Sequence, residues 1–110
     1  MNYPKNKTQL IKFLRENPGI YYNVTRADGS VHMRKLSRPQ TNAFAGHSAE
    51  GKESWFYYEK NDIYRFEDSQ FIVESSGVQL IFEFNPSQTE IDAFEFPEFL
   101  KMTILRWLNL

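Results

Sequence analysis

The chain contains no cysteine. Disulfides, thiolate nucleophiles and cysteine-held metals are therefore out of reach. Histidine is nearly as scarce, with His32 and His47 far apart along the chain. Two such residues without cysteine do not give the clustered ligands that zinc needs, and no acidic loop matches a calcium pattern, so neither a metal nor a cofactor is expected. No apolar run approaches the roughly 20 residues needed to span a bilayer. No N-terminal stretch reads as a leader either, so a cytoplasmic location without membrane association is expected. In that compartment the glycosylation-type triplets at Asn6 and Asn23 carry no weight. The five glycines are scattered among turns, which leaves no glycine-rich loop to cradle a phosphate.

Groups that suggest catalysis have simpler readings. His47, Ser48 and Glu50 are near neighbours in one loop, whereas catalytic triads assemble across a fold. Glu53, Glu59 and Asp62 flank an aromatic run and read as solvated turn residues rather than an acid–base pair. The expectation is a protein that is not an enzyme.

What the chain does have is aromatic. Ten Phe, six Tyr and two Trp bring aromatics to 16% of 110 residues, against 41% apolar and 25% charged overall. The length suits one domain, residues 1–110, with one core. Flat and β-branched side chains fit a pleated surface, so the composition favours strands. The net charge of −1 hides an asymmetry. Residues 1–52 hold nine Lys/Arg and three Asp/Glu, giving +6, while residues 53–110 hold four and eleven, giving −7. Such a split fits either a polyanion-binding half or two halves whose fields cancel side by side.

Periodicity supplies the elements. In "TQLIKFLRENPG", Leu10, Ile11 and Leu14 share a helical stripe. Asn6 or Thr8 can cap this helix, and Pro18-Gly19 ends it. Lys7, Lys12 and Arg15 form its basic outer face. "IYYNVTRADGSVHMRKL" predicts a hairpin about a two-residue Asp28-Gly29 turn. That register pairs Tyr22, Val24 and Arg26 with Lys35, Met33 and Val31 on a core-facing side with Ile20. It leaves Tyr21, Asn23, Thr25, His32, Arg34 and Leu36 on the outer side.

A short strand at 41–45 and a flexible loop, "GHSAEGKE", lead to the strand "SWFYY". Three more strands follow, "IYRFE", "QFIVES" and "VQLIFEF", joined at Asp68-Ser69 and Ser76-Gly77. With two-residue turns, Tyr64, Phe66, Phe71, Val73, Val78, Leu80 and Phe82 fall on one face. Arg65, Glu67, Gln70, Glu74, Gln79 and Glu83 fall on the other, with Ile72 and Ile81 among them. Ser87 and Glu90 have the spacing of a helical capping box, and Pro97 suits the start of a further helical segment.

The fold class expected is α+β. A twisted antiparallel sheet of six or seven strands, curled into a partial barrel, carries an N-terminal helix and a C-terminal helical segment.

Two binding surfaces are candidates. Basic side chains for phosphates and rings for bases point to Tyr21, Arg26, His32, Arg34 and Arg38 around the outer face of the first hairpin, with Lys12 and Arg15 on the helix. The second is the apolar C-terminal segment, where Phe99, Leu100, Ile104, Trp107 and Leu108 suit a protein partner or a second copy. The aromatic run Trp55–Tyr58 raises its own question. A mid-sheet strand between two helices predicts that at least three of its four rings are largely buried.

The stretch "QTNAFAGHSAEGKESWFYYEKNDIYRFEDSQFIVE", residues 40–74, resembles small uncharacterised accessory proteins of Gram-positive phages and mobile elements. The resembling features are "QTNAFA", a short Gly-containing loop, "ESWFYY" and "YRFEDSQFIV". The resemblance implies no catalytic residue. It implies a context in which such proteins act by binding host or element-encoded factors. The main expectation is therefore a non-catalytic prophage or mobile-element protein that binds a protein partner. The alternative is a single-stranded nucleic-acid or RNA binder using the hairpin.

Overall fold

A computed structural model of the chain describes residues 1–96. The helical start expected at Pro97 and the interface candidates Phe99, Leu100, Ile104, Trp107 and Leu108 lie outside the described residues.

The elements run α1 (Lys7–Glu16), β1 (Tyr21–Thr25), β2 (Val31–Pro39), β3 (Ala43–His47), β4 (Glu53–Tyr57), β5 (Ile63–Glu67), β6 (Gln70–Ser75), β7 (Val78–Glu83) and α2 (Gln88–Glu95). All pairings are antiparallel, in the order β4-β3-β2-β1-β7-β6-β5. The sheet curls into a half-barrel, and the fold is α+β with a helix at each end of the described chain. β1 joins the N-terminal strands to β7 through Val24 opposite Phe82.

The meander β5–β7 has the expected register. Glu67 pairs with Gln70 and Ser75 with Val78, so both connections are two-residue turns. Ser76 and Gly77 both have positive φ, 51° and 79°, as a type I′ hairpin turn requires. Phe66, Phe71 and Phe82 line up across three strands on the concave face.

The first hairpin departs from expectation by one residue. Thr25 pairs with Val31 and Tyr22 with Arg34, so the loop is Ala27-Asp28-Gly29 rather than Asp28-Gly29. Only Gly29 takes positive φ there, at 84°, which fits a three-residue loop ending in a left-handed glycine. The Asp28 carboxylate accepts from the Ser30 backbone N–H at 2.9 Å and from its hydroxyl at 2.6 Å. Those bonds hold its pKa below the usual carboxylate value, helped by the charges of Arg26 and His32. Because side chains alternate, the slip exchanges the two faces of β2. His32, Arg34 and Leu36 join Tyr22 and Val24 on the concave side, while Val31, Met33 and Lys35 join Tyr21 on the convex side.

The core sits in the concavity. Phe71 and Phe82 stack at 4.6 Å with rings 5° from parallel. Phe44 meets Phe82 edge-on at 5.6 Å and Tyr22 at 5.8 Å. Helix α1 closes one end with Leu10, Phe13 and Leu14, all buried, and Phe13 reaches Phe84 at 5.1 Å. Asn6 is its cap, accepting from the Gln9 backbone N–H at 2.8 Å. β3 starts two residues later than the expected strand and runs on through Gly46 and His47. Gly46 is required by close approach, since a Cβ there would stand 2.2 Å from the Tyr22 hydroxyl.

Candidate functional site

Among the described residues, the concave face is covered at one end only, by α1. Away from α1, Val24, Leu80 and Phe56 form an apolar floor, and Arg26, His32, Arg34 and Ser54 stand around it. Together with Tyr22, Trp55 and Phe82 they line an open cavity of about 130 Å³. The register slip builds this arrangement, because it brings His32 and Arg34 inward. Arg34 donates to the Met33 carbonyl at 2.9 Å, and the His32 Nε2 lies 3.1 Å from the Ser30 hydroxyl. Among the described residues the ion pairs are Lys12–Glu16, Lys35–Glu95, Arg38–Glu53 and Arg65–Glu67, so none involves Arg26, His32 or Arg34.

The convex face is organised by two carboxylate-centred clusters. In the first, α2 lies on β1 and β2. Its capping box is complete, with the Ser87 hydroxyl accepting from Glu90 N–H and Glu90 accepting from Ser87 N–H. Phe94 meets Tyr21 edge-on at 5.7 Å and His47 at 6.0 Å. Glu95 accepts from the Tyr21 hydroxyl and pairs with Lys35 at 3.2 Å, and Glu90 accepts from the Asn23 amide at 2.9 Å. These donors lower the pKa of both carboxyls: Tyr21 and Lys35 at Glu95, the Ser87 backbone and Asn23 at Glu90. The Tyr21 hydroxyl is pushed up by desolvation and by the bond to Glu95, and the Lys35 ammonium is raised by its bond to Glu95.

The second cluster lies at the edge strand β4. Trp55 and Tyr57 stack at 6.0 Å and 21°. They are 37% and 56% exposed, while Phe56 and Tyr58 turn inward and are partly buried. The expectation of three buried rings is therefore wrong. β4 is an edge strand, α1 covers the concave core and α2 covers β1–β2, so neither described helix covers the outer rings. Glu53 ties the cluster together. It accepts from the Trp55 indole at 3.0 Å and pairs with Arg38 at 3.0 Å. Arg38 lies on this face because β2 shifts register between Leu36 and Arg38, which sets Arg38 opposite Ala45 and Ala45 opposite Trp55.

The seven basic or aromatic candidates thus do not form one outer face. Arg26, His32 and Arg34 gather inside the open end of the half-barrel. Tyr21 lies beneath α2, Arg38 stands beside Trp55, and Lys12 and Arg15 remain on α1, bonded to Glu16 and Thr41. Sequence reasoning missed Glu53 as an organiser and Val24, Leu80 and Ser54 as cavity walls. A signal was present for the edge strand: Lys52, Glu53 and Lys60 bracket the ring run, and charges commonly guard sheet edges.

Among the described residues there is no group of three or more metal-ligating side chains, and no helix is long and apolar enough to cross a membrane. Compared with known proteins, the chain matches no family model, no curated protein and no solved structure.

Proposed function

We propose that the protein is a non-catalytic binding module whose main surface is the outer face of β4, and that its ligand is another protein. The observation that carries this reading is the Trp55–Tyr57 stack, exposed yet held in place by Glu53 beside Arg38. Trp, Tyr and Arg dominate the energetic centres of protein interfaces. Rings fixed before binding lose little conformational freedom when a partner arrives. The prophage or mobile-element setting attached to this reading comes from the resemblance of residues 40–74.

The test is affinity capture from a host lysate with the native chain and with a Trp55→Ala/Tyr57→Ala double variant, both checked for folding by circular dichroism. Proteins retained by the native chain and lost with the folded variant support the reading. Identical capture by both overturns it. Sedimentation of the native chain identifies a second copy of itself as the partner.

A second reading, binding of single-stranded nucleic acid, is favoured by the trio of Arg26, His32 and Arg34 at the open end. Its location differs from the outer hairpin face expected above. Salt-dependent retardation of oligonucleotides, lost in Arg26→Gln/Arg34→Gln, tests it, since phosphate contacts weaken as salt rises.

A further inference from the structure

We propose that the open end of the half-barrel is a pocket for one nucleotide unit, a planar ring carrying a phosphate. The ring lies on the floor of Val24, Phe56 and Leu80, and the phosphate is held by Arg26, His32 and Arg34. This inference shares its basic trio with the nucleic-acid reading and names the ligand chemistry there.

Three observations converge. The first is size: the cavity is about 130 Å³, close to the roughly 150 Å³ apolar cavity that admits a benzene ring. Tyr22 lines it and is buried, with its hydroxyl seated over Gly46. Beyond Tyr22 the interior is filled by Phe44 and Phe84, which its ring meets at 5.8 Å and 6.3 Å. The pocket therefore has room for a single ring and stops there.

The second is charge. Three basic side chains line the cavity, and among the described residues no carboxylate does. Elsewhere on the sheet, Lys35, Arg38 and Arg65 each have a carboxylate partner within 4.0 Å. Arg26, His32 and Arg34 have none among the described residues, although Asp28 at the hairpin tip is close enough to feel Arg26 and His32.

The third is donor geometry. A guanidinium presents a planar fork of N–H groups that matches phosphate oxygens two at a time. Arg34 spends one nitrogen on the Met33 carbonyl, which fixes the side chain at the wall and leaves other donors for a ligand. Several donors converging on one anion favour a phosphate, which has enough oxygens to meet them all.

The experiment is a titration of the full-length chain, labelled with nitrogen-15, with uridine and cytidine monophosphates, whose bases are single rings, followed by amide shifts. Saturable shifts are expected at Val24, His32, Arg34 and Leu80. Arg34→Gln and, separately, Arg26→Gln are each expected to weaken binding about tenfold, as loss of a charge-assisted hydrogen bond does. Arg65→Gln, on the far convex face, is expected to leave affinity unchanged. Nucleoside without phosphate and inorganic phosphate alone are each expected to bind at least about tenfold more weakly than the mononucleotide. Short single-stranded oligonucleotides form a further arm. If mononucleotides bind and oligonucleotides do not, the pocket stands and the nucleic-acid reading fails. If oligonucleotides bind the native chain and lose that binding in Arg26→Gln/Arg34→Gln while mononucleotides do not bind, that reading stands without this pocket. Absence of saturable mononucleotide shifts, or equal affinity of the native and both rim variants, overturns the proposal.

Discussion

The concave and convex faces of this sheet hold aromatic rings by different means. On the concave face, Tyr22, Phe44, Phe71, Phe82 and Phe84 contact one another and the apolar side of α1, and each is at most 5% exposed. On the convex face, Trp55 and Tyr57 touch each other and are anchored by a carboxylate, while Tyr21 lies under Phe94 and bonds Glu95. The concave rings are fixed by mutual burial, which is non-directional and collective. The convex rings are fixed by individual polar contacts, which water and salt weaken. The lesson is that ring density alone does not locate the core. Polar anchoring lets a ring stay ordered at a surface where burial does not hold it.

The largest expected effect attacks the concave side. Phe71→Ala removes the ring stacked on Phe82 and opens a cavity, which costs about 3–5 kcal/mol. Urea unfolding measures it. A loss no larger than that of a surface substitution would show that the concave rings are not a shared core. Next is Gly46→Ala, where the new methyl forces the Tyr22 hydroxyl aside, an overpacking cost of about 1–3 kcal/mol. The same unfolding curves report it.

The comparison is sharpened by Trp55→Ala and Tyr57→Ala. Each is expected to move stability by within about 0.5 kcal/mol, as exposed substitutions do, while abolishing partner capture. If Trp55→Ala destabilises as strongly as Phe71→Ala, the two faces are not distinct.

The smallest effect concerns α2. Glu90 and Glu95 have pKa values lowered from an ordinary 4.5 by the bonds they accept. A depressed folded pKa means the contribution is present above 4.5 and is lost as pH falls through the folded values. Amide exchange in residues 88–95 should therefore rise below about pH 4.5 before the concave core responds. Added salt and Glu95→Gln should weaken the docking at neutral pH in the same direction. A helix that loosens only with global unfolding would show that Phe94 packing, not the carboxylates, seats it.

Several features were legible in the sequence. The β5–β7 meander was readable because its two short turns and its alternation agree independently, so any slip would have put Phe71 and Phe82 on the solvent side. The capping box at Ser87 and Glu90 was readable because the partners lie three residues apart, whereas the first helix had Asn6 and Thr8 as alternative caps and the structure uses Asn6. The first hairpin was not. Asp28-Gly29 fits a two-residue loop and also the last two positions of a three-residue loop. β2 points the wrong way, because Val31 and Met33 give one face two apolar residues beside Lys35, while the face that turns inward has only Leu36 beside His32 and Arg34. Val24 faces the core in either register; the observed one buries Leu36 in the core and leaves Lys35 to pair with Glu95.

The amino-acid sequence by itself determined the α+β class, an antiparallel sheet of six or seven strands, the meander register and the Ser87–Glu90 capping box, since each rests on contacts between residues near in the chain. Tertiary structure alone decided that β4 is an edge, that α2 lies over Tyr21, and that Arg26, His32 and Arg34 face inward. Those outcomes depend on which strand lies beside which and on what is left to cover each face. Such pairings join residues as distant as Val24 and Phe82, beyond the reach of any local pattern.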